Sequence, residues 1–133
     1  MKDLNKMFKP DSVAVIGASN TPGKVGYIII DNIISGGYKG KVYPINPKSG
    51  EIQGLKAYEN IKDVPEKVDL VIMSIPAAFV NESIKDCGED GVENMVVIST
   101  GFKEIGEEGA KLEEELVALS KESNIEIPKL LEI

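Results

Sequence analysis

Residues 12–26 read SVAVIGASNTPGKVG, and the class of fold is indicated by this segment. Its first five residues form a short, β-branched-rich run, which is typical of a strand buried in a parallel sheet. Gly17 closes the run, and the loop GASNTPG leads into an apolar helical stretch over residues 24–35 that ends at Gly36 and Gly37. A strand, a glycine-containing loop and a helix in this order begin a βαβ unit.

The same alternation of strand and helix patterns continues along the chain. It predicts strands at residues 41–45, 69–75, 94–99 and 125–127, and helices at residues 77–90 and 107–122. Residues 48–67 look irregular, with one short helix near residues 59–63. The whole pattern predicts an α/β fold, a Rossmann-like doubly wound parallel sheet of about five strands in the default order 3-2-1-4-5, built as a single domain over residues 1–133.

The composition excludes several kinds of chemistry. The 133 residues include no histidine, which removes Ser-His-Asp and Cys-His nucleophilic systems, imidazole general bases and histidine-ligated zinc. All fifteen basic residues are lysines, so arginine clamps on phosphate are absent as well. Cys87, the single cysteine, lies on the apolar stripe of the predicted helix at residues 77–90, which favours a core position over a nucleophile. We predict neither a catalytic residue nor a metal site in this chain.

The net charge of −7 is unevenly spread along the sequence. Residues 1–48 hold seven lysines against three acidic residues and carry +4, whereas residues 49–103 carry −5 and residues 104–133 carry −6. An acidic chain is a poor general binder of nucleic acid. The basic first third is nevertheless suited to a small anionic ligand.

The sequence carries no sign of export or of a membrane segment. No apolar run approaches the ~20 residues that span a bilayer, and the amino terminus MKDLNKMFKPDS lacks the apolar core of a signal peptide. A single cysteine excludes an intramolecular disulfide and fits a reducing compartment. We expect a cytoplasmic chain that binds neither nucleic acid nor membrane.

The loop after the first predicted strand is the leading candidate for a binding site. Gly17, Gly23 and Gly26 surround a strand-to-helix junction, where free backbone N–H groups and the helix dipole favour an anion. The spacing is not G-x-G-x-x-G, because Ser19 stands where the second glycine should be, and it departs from the Walker loop, in which Ser or Thr takes the place of Val25. The alternative is a glycine turn that only packs the strand on the helix.

Three further loops meet the same edge of the predicted sheet. An NAD-binding domain usually has Asp or Glu after its second strand, but this chain has Asn46-Pro47-Lys48. Lys48 suits an extra phosphate on the ribose, either that of NADP or the 3′-phosphate of coenzyme A, unless it is a solvated turn lysine. The loop at residues 74–78 can receive an adenine edge or a pantetheine arm, or its proline only starts a helix. The loop at residues 99–102 offers two hydroxyl groups, or its Ser and Thr only end the strand.

Four phrases of this sequence carry a resemblance to a known family. The segments VAVIGASNTPGKVGY, YPINPK, VIMSIPA and above all ISTGFKEIGEEG resemble the CoA-binding domain of ADP-forming acetyl-CoA synthetases. These NDP-forming acyl-CoA synthetases are related to the alpha subunit of succinyl-CoA synthetase. The resemblance runs from about Phe8 to Ile125, and it favours coenzyme A over NADP as the ligand.

The resemblance implies a set of site residues by position. In the family, the CoA site has three parts. They are the loop that holds the CoA phosphates, the segment after the second strand, which contacts the nucleotide portion, and the rim along which the adenine and the pantetheine lie. In that order, the matching residues are Gly17, Ala18, Ser19, Asn20, Lys24, Val25 and Gly26; Asn46, Pro47 and Lys48; and Ile75, Pro76, Ser99, Thr100, Gly101 and Phe102.

The sequence also departs from the family pattern. In the family, the last strand continues into a glycine-proline-asparagine-cysteine segment and then into a second domain with a phosphohistidine, whereas this chain runs through Pro128 and stops at Ile133. The resemblance therefore implies a CoA-binding domain or fragment that positions CoA for acyl transfer from an acyl phosphate beside other domains or subunits, and that is not catalytic alone. Two alternatives stay open: the NADP-binding half of an oxidoreductase, and a stand-alone, non-enzymatic CoA-binding or regulatory module.

Overall fold

Five parallel strands form the central sheet in a computed structural model that describes residues 9–99, 111, 114, 115, 118, 121 and 130–132. In chain order the elements are β1 (Ser12–Ile16), α1 (Val25–Ser35), β2 (Lys41–Ile45), β3 (Glu51–Ile52), β4 (Leu55–Lys56), a 3-10 turn (Ile61–Asp63), β5 (Leu70–Met73), α2 (Ala77–Glu89), β6 (Met95–Ser99) and β7 (Leu130–Glu132). The short strands β3 and β4 pair with each other as an antiparallel hairpin.

The strands of the central sheet lie in the order β2-β1-β5-β6-β7, and every pairing is parallel. The predicted α/β class and the Rossmann-like parallel sheet are confirmed. The predicted strand order 3-2-1-4-5 is wrong, because the third strand of the sheet along the chain lies beside β1 and not outside β2. The order reverses between β1 and β5, and this switch point is where ligands bind in open α/β sheets.

Within the described ranges, β2 is the edge strand of the central sheet on this side. Pro44 has no N–H group to donate, and a proline is tolerated in a sheet mainly on an edge strand. Tyr58 bonds two further groups of that edge, since its N–H donates to the Pro44 carbonyl at 2.9 Å and its carbonyl accepts from the Asn46 N–H at 2.8 Å. After β2 the chain forms the short β3–β4 hairpin and then crosses to the other side of β1.

The two long helices cover opposite faces of the sheet. Successive side chains of a strand point to opposite faces, and in β1 Val13 and Val15 pack in one buried cluster with Ile30 of α1. Ala14 and Ile16 pack in a second buried cluster that contains the apolar stripe of α2. A strand buried on both sides needs the uninterrupted apolar run seen in the sequence.

The sequence located most elements of the described chain but not all of them. The strands at residues 12–16 and 41–45 and the helix at residues 77–90 agree with the structure to within one residue. The hairpin at residues 51–56 was not predicted. The predicted strand at residues 125–127 lies outside the described residues, and the strand that pairs with β6 is Leu130–Glu132. Of the helix predicted at residues 107–122, only residues 111, 114, 115, 118 and 121 are described, and they are helical.

Within the part of the chain that the structure describes, no helix is both long and apolar enough to cross a membrane.

Candidate functional site

A cavity of about 660 Å³ opens at the carboxyl ends of β1, β2 and β5, beside the switch point of the sheet. This volume lies in the range of small-molecule and cofactor sites. The lining residues come from the loops after the strands and from the two segments that flank them. They are Ile16, Gly17, Ala18, Ser19, Lys24, Val25, Gly26, Ile45, Asn46, Pro47, Lys48, Glu59, Asn60, Ile61, Ser74, Ile75, Pro76, Ser83, Asp86 and Ile98.

Two glycines let the backbone of the first loop pack more closely than any side chain would allow. A Cβ atom on Gly17 would lie 1.9 Å from the carbonyl oxygen of Ser74, and the φ angle of Gly17 is +91°. A Cβ atom on Gly26 would lie 1.9 Å from the carbonyl oxygen of Gly17. The loops after β1 and β5 and the first turn of α1 are therefore held together at one point, on the wall of the cavity.

The amino-terminal end of α1 is open to an anion. Lys24 is the N-cap residue, its side chain makes no capping hydrogen bond, and no acidic residue lies in the first turn. The first N–H groups of a helix lack partners within the helix and carry the positive end of its dipole. Lys24 and Lys48 both line the cavity, and neither forms an ion pair with any residue between 9 and 99. This part of the cavity is electropositive.

Asn46 organises the turn that carries Lys48. Its side-chain Nδ2 donates to the carbonyl oxygen of Ala18 at 2.9 Å, and its Oδ1 accepts from the backbone N–H of Lys48 at 2.8 Å. Asn46 therefore ties the loop after β2 to the loop after β1. An aspartate at this position would keep the acceptor of the turn but would lose the donor to Ala18.

A second helix begins at the same cavity. Pro76 is the N-cap residue of α2, and again no side chain caps the helix and no acidic residue lies in its first turn. Ile75, Pro76 and Ile98 give this side of the cavity an apolar surface. Phe79 in the same first turn is 59% exposed. The arrangement combines an apolar wall with an uncapped helix end.

A further part of the cavity lining is polar and was not identified from the sequence. It is formed by Glu59 and Asn60 before the 3-10 turn and by Ser83 and Asp86 of α2. Asn60 Nδ2 donates to Asp86 Oδ2 at 3.4 Å, and Lys62 Nζ lies 3.7 Å from Asp86 Oδ1. A signal was present, because Ser83 and Asp86 are three residues apart and lie on one side of the helix. Only the fold shows that this side faces the cavity.

The structure brings most of the predicted site residues together around one cavity. Those that line it are Gly17, Ala18, Ser19, Lys24, Val25, Gly26, Asn46, Pro47, Lys48, Ile75 and Pro76. Asn20 does not line the cavity, because its side chain donates to the Glu51 carbonyl at 2.8 Å and accepts from the Gln53 N–H at 2.9 Å. Ser99 ends β6, and Thr100, Gly101 and Phe102 lie outside the described residues.

Cys87 lies in the core and is not suited to act as a nucleophile. The residue is fully buried in the cluster that lies between α2 and the sheet. Burial, together with the negative charges of Asp86 and Asp90, raises the pKa of the thiol to about 12. The thiolate is therefore not populated near neutral pH. Among the described residues, no group of three or more Cys, Asp or Glu side chains is arranged to hold a metal ion.

The sheet order, the two faces covered by helices and the cavity at the switch point define a Rossmann-like domain. The chain belongs to the family of the CoA binding domain, whose model matches residues 11–129. It corresponds to the CoA-binding, amino-terminal part of ADP-forming acyl-CoA synthetases.

The similar proteins are much longer than this chain. The alpha subunit of acetate–CoA ligase (ADP-forming) I from Pyrococcus furiosus is 44% identical over an alignment of 128 residues, and the match covers 93% of this chain and 28% of that protein. Acetate–CoA ligase (ADP-forming) II from Archaeoglobus fulgidus is 43% identical over 125 residues, or 94% of this chain and 19% of the relative. The present chain thus spans about a quarter or less of these relatives.

A solved structure shows the same fold at a similar level of identity. It is that of the dinucleotide-forming acetyl-coenzyme A synthetase 1 from Candidatus Korarchaeum cryptofilum, in complex with phosphate and ADP. The TM-score is 0.90 with 46% sequence identity, and the match covers 98% of this chain and 28% of that one.

Proposed function

We propose that this chain binds coenzyme A in the cavity at the switch point and that, within an ADP-forming acyl-CoA synthetase, it positions the CoA thiol for acyl transfer from an acyl phosphate. The family supports the ligand, and the names of the relatives support the class of reaction. Holding two reactants in the right geometry accounts for a large share of catalysis in group transfer. The acyl phosphate would come from other domains or subunits.

The close approach of Gly17 and Gly26 carries this proposal. Because neither glycine has a Cβ atom, the loop after β1 packs directly against Ser74 and the first turn of α1, which brings its backbone to the cavity wall beside the first N–H groups of that helix. The uncapped first turn of α1 and the Lys24 ammonium group add positive potential at the same wall. We assign the pyrophosphate of CoA to the wall formed by residues 17–19 and residues 24–26.

Lys48 is the best candidate for the 3′-phosphate of CoA. It follows the end of β2, where dinucleotide-binding domains usually hold the ribose, and its side chain is exposed in the electropositive part of the cavity. The apolar wall at Ile75 and Pro76 suits the adenine or the pantetheine arm. We assign the same rim role to Ser99, Thr100, Gly101 and Phe102, on the strength of the resemblance.

Isothermal titration of the 133-residue chain with CoA tests the ligand. We expect saturable binding of CoA and much weaker binding of NADP, because the family to which the chain belongs is that of a CoA binding domain. The proposal fails if CoA gives no heat up to millimolar concentration while NADP binds.

A lysine substitution tests the position of the 3′-phosphate. We expect Lys48→Ala to weaken CoA about tenfold and dephospho-CoA less than about twofold, since a hydrogen bond to a charged group is lost only with the former ligand. Lys39→Ala is the matched control, because it removes one exposed lysine of the same basic third that does not line the cavity. Equal losses for the two ligands would refute the assignment.

Two broader features complete the proposal. We infer that residues 1–133 form one CoA-binding domain, as the family model that covers residues 11–129 supports. We also infer a cytoplasmic location, which the single cysteine and the CoA ligases among the relatives support.

A further inference from the structure

The turn of the β3–β4 hairpin contains an unfavourable residue. Gln53 has a φ angle of +50° and is the only non-glycine residue with a positive φ in the described part of the chain. Gly54 follows with a φ of +82°, so both central residues of the turn are left-handed, as in a type I′ turn. Such a turn prefers Asn or Gly at the first of these positions, and glutamine is held there at a conformational cost.

The side chain of Gln53 reaches away from the hairpin to the first loop of the site. Its Nε2 donates to the carbonyl oxygen of Tyr27 in α1 at 3.1 Å and to the carbonyl oxygen of Ser19 at 3.4 Å. Its backbone N–H donates to Asn20 Oδ1 at 2.9 Å, and Asn20 Nδ2 donates to the Glu51 carbonyl at 2.8 Å. The hairpin is thus fastened to the loop through Gln53 and Asn20.

Three successive carbonyl groups of this loop are turned toward the protein. The Gly17 carbonyl abuts Gly26, the Ala18 carbonyl accepts from Asn46, and the Ser19 carbonyl accepts from Gln53. Every described peptide bond is trans, and in a planar trans peptide the N–H points opposite to the C=O. The N–H groups that follow these carbonyls therefore point the other way. Gln53 itself does not line the cavity, whereas Ala18 and Ser19 do.

We propose that Gln53 is a positioning residue for phosphate binding: its amide holds the Ser19 carbonyl away from the ligand and so fixes the loop in which Ala18 and Ser19 line the cavity. This inference rests on the proposed binding of CoA at the same loop. It also accounts for the turn, because Asn or Gly would relax the backbone but could not span the distance to Ser19 and Tyr27. An unrestrained carbonyl could rotate toward the ligand and repel it.

Two substitutions separate positioning from simple stability. Gln53→Asn keeps the amide and suits the left-handed backbone but is one methylene shorter, and Gln53→Gly removes the backbone strain altogether. We expect both variants to melt near the wild-type temperature, since the relief of backbone strain offsets the lost bonds to Tyr27 and Ser19, yet to bind CoA about five- to tenfold more weakly. Adenosine 3′-phosphate, which lacks the pyrophosphate, should bind with unchanged affinity.

Gly54→Asn is the matched control. It alters the same turn at a position with open space around it, tolerates a positive φ, and leaves the Gln53 amide in place. CoA affinity should stay within about twofold of wild type. Unchanged CoA affinity in both Gln53 variants would overturn the proposal. So would a lowered melting temperature with equal losses for CoA and adenosine 3′-phosphate, since that result describes a purely structural residue.

Backbone 15N relaxation of the ligand-free chain distinguishes a failure of this inference from a failure of the proposed function. Lower order parameters at residues 18–20 in the Gln53 variants, with unchanged values in β1 and β5, show that Gln53 restrains the loop whichever ligand binds. Unchanged order parameters at residues 18–20 overturn the restraint itself. A wild-type chain that fails to bind CoA overturns the proposed function first.

Discussion

At the scale of single residues, three glycines around the first loop differ in what an added methyl group would meet. Gly23 has a φ of +93° with nothing within 4 Å of its Cβ position, Gly26 meets the Gly17 carbonyl, and Gly17 combines a positive φ with a clash against Ser74. Left-handed strain and steric overlap can therefore be measured separately in one loop.

We expect Gly23→Ala to cost about 1 kcal/mol of unfolding free energy, because only the left-handed conformation is penalised. Gly26→Ala should cost about 2 kcal/mol through overlap with backbone, although alanine is the better helix former. Gly17→Ala should cost more than about 3 kcal/mol, since both penalties act together. Urea unfolding of the three variants checks the ranking, and equal losses in all three would contradict it.

A site residue could be predicted where its residue type and its position after a strand already indicate its role. Gly17 and Lys48 follow strand ends, and their residue types already favour a turn and an anion. Asp86 and Gln53 could not be assigned in this way. Asp86 reaches the cavity only because α2 packs on one face of the sheet. The side-chain bonds of Gln53 reach Tyr27 and Ser19, which are 26 and 34 residues away in the sequence.

At the scale of elements, a polar cluster fastens β2 to the loop that precedes β5. The Tyr43 hydroxyl donates to the Glu66 carboxylate, and Lys41 Nζ lies 3.0 Å from the same carboxylate. The hydrogen bond from Tyr43, followed by the bond from Lys41, holds the pKa of Glu66 below its usual value. Burial, and then the bond to Glu66, raises the pKa of Tyr43 to about 12.

This cluster predicts a dependence of stability on pH. Because the pKa of Glu66 is lowered in the folded state, its carboxylate contributes stability that is fully present above pH 4.5, the ordinary pKa of a glutamate. This stability is lost as the pH falls through the lower pKa that Glu66 has in the folded chain. We expect Tyr43→Phe to lose less stability than wild type when urea unfolding is measured from pH 6 down to pH 3, about the range in which carboxylates titrate. In wild type, the contribution of the raised Tyr43 pKa is present below pH 10 and lost as the pH rises toward 12.

Tyr38→Phe is the control for the acid limb. Burial is the main cause that raises the pKa of Tyr38 as well, but its hydroxyl donates to the Pro10 carbonyl and leaves Glu66 untouched. Its loss of stability toward low pH should follow the wild-type profile. A Tyr43→Phe profile that also matches wild type would contradict the role of this cluster.

Elements with a long periodic pattern were predictable, whereas the path between them was not. The apolar residues of β1, of β2 and of the stripe of α2 indicate from the sequence alone which side chains are buried. Strands of two residues, such as β3 and β4, are too short to show alternation. The strand order depends on which edge of β2 has no neighbouring strand. The bonds that Tyr58 makes to that edge cannot be read from the sequence.

At the scale of the whole molecule, the distribution of charge is only partly reflected in the site. Lys24 and Lys48 come from the basic first third, as the sequence predicted for an anionic ligand. The acidic residues Glu59 and Asp86, from the next segment, line the same cavity. A net charge summed along the chain cannot tell which side chains share a cavity, because the fold brings distant segments together.

The absence of histidine sets a limit on what the 133-residue chain can do by itself. We predict that it binds CoA but forms no acid-labile phosphoprotein when incubated with radiolabelled ATP and shows no ligase activity. A complete ADP-forming acetate–CoA ligase is the positive control. Acid-labile label on this chain, or thioester formation without an added partner, would contradict the prediction.

Pro44 also bears on how copies of this molecule behave toward each other. An exposed strand edge is a template on which a second chain can add a strand. On the outer edge of β2, Pro44 offers no donor, and the Pro44 carbonyl and Asn46 N–H are already bonded to Tyr58. Pro44 and Tyr58 together therefore leave fewer free backbone groups on this side of the sheet, which disfavours edge-to-edge addition of a second chain.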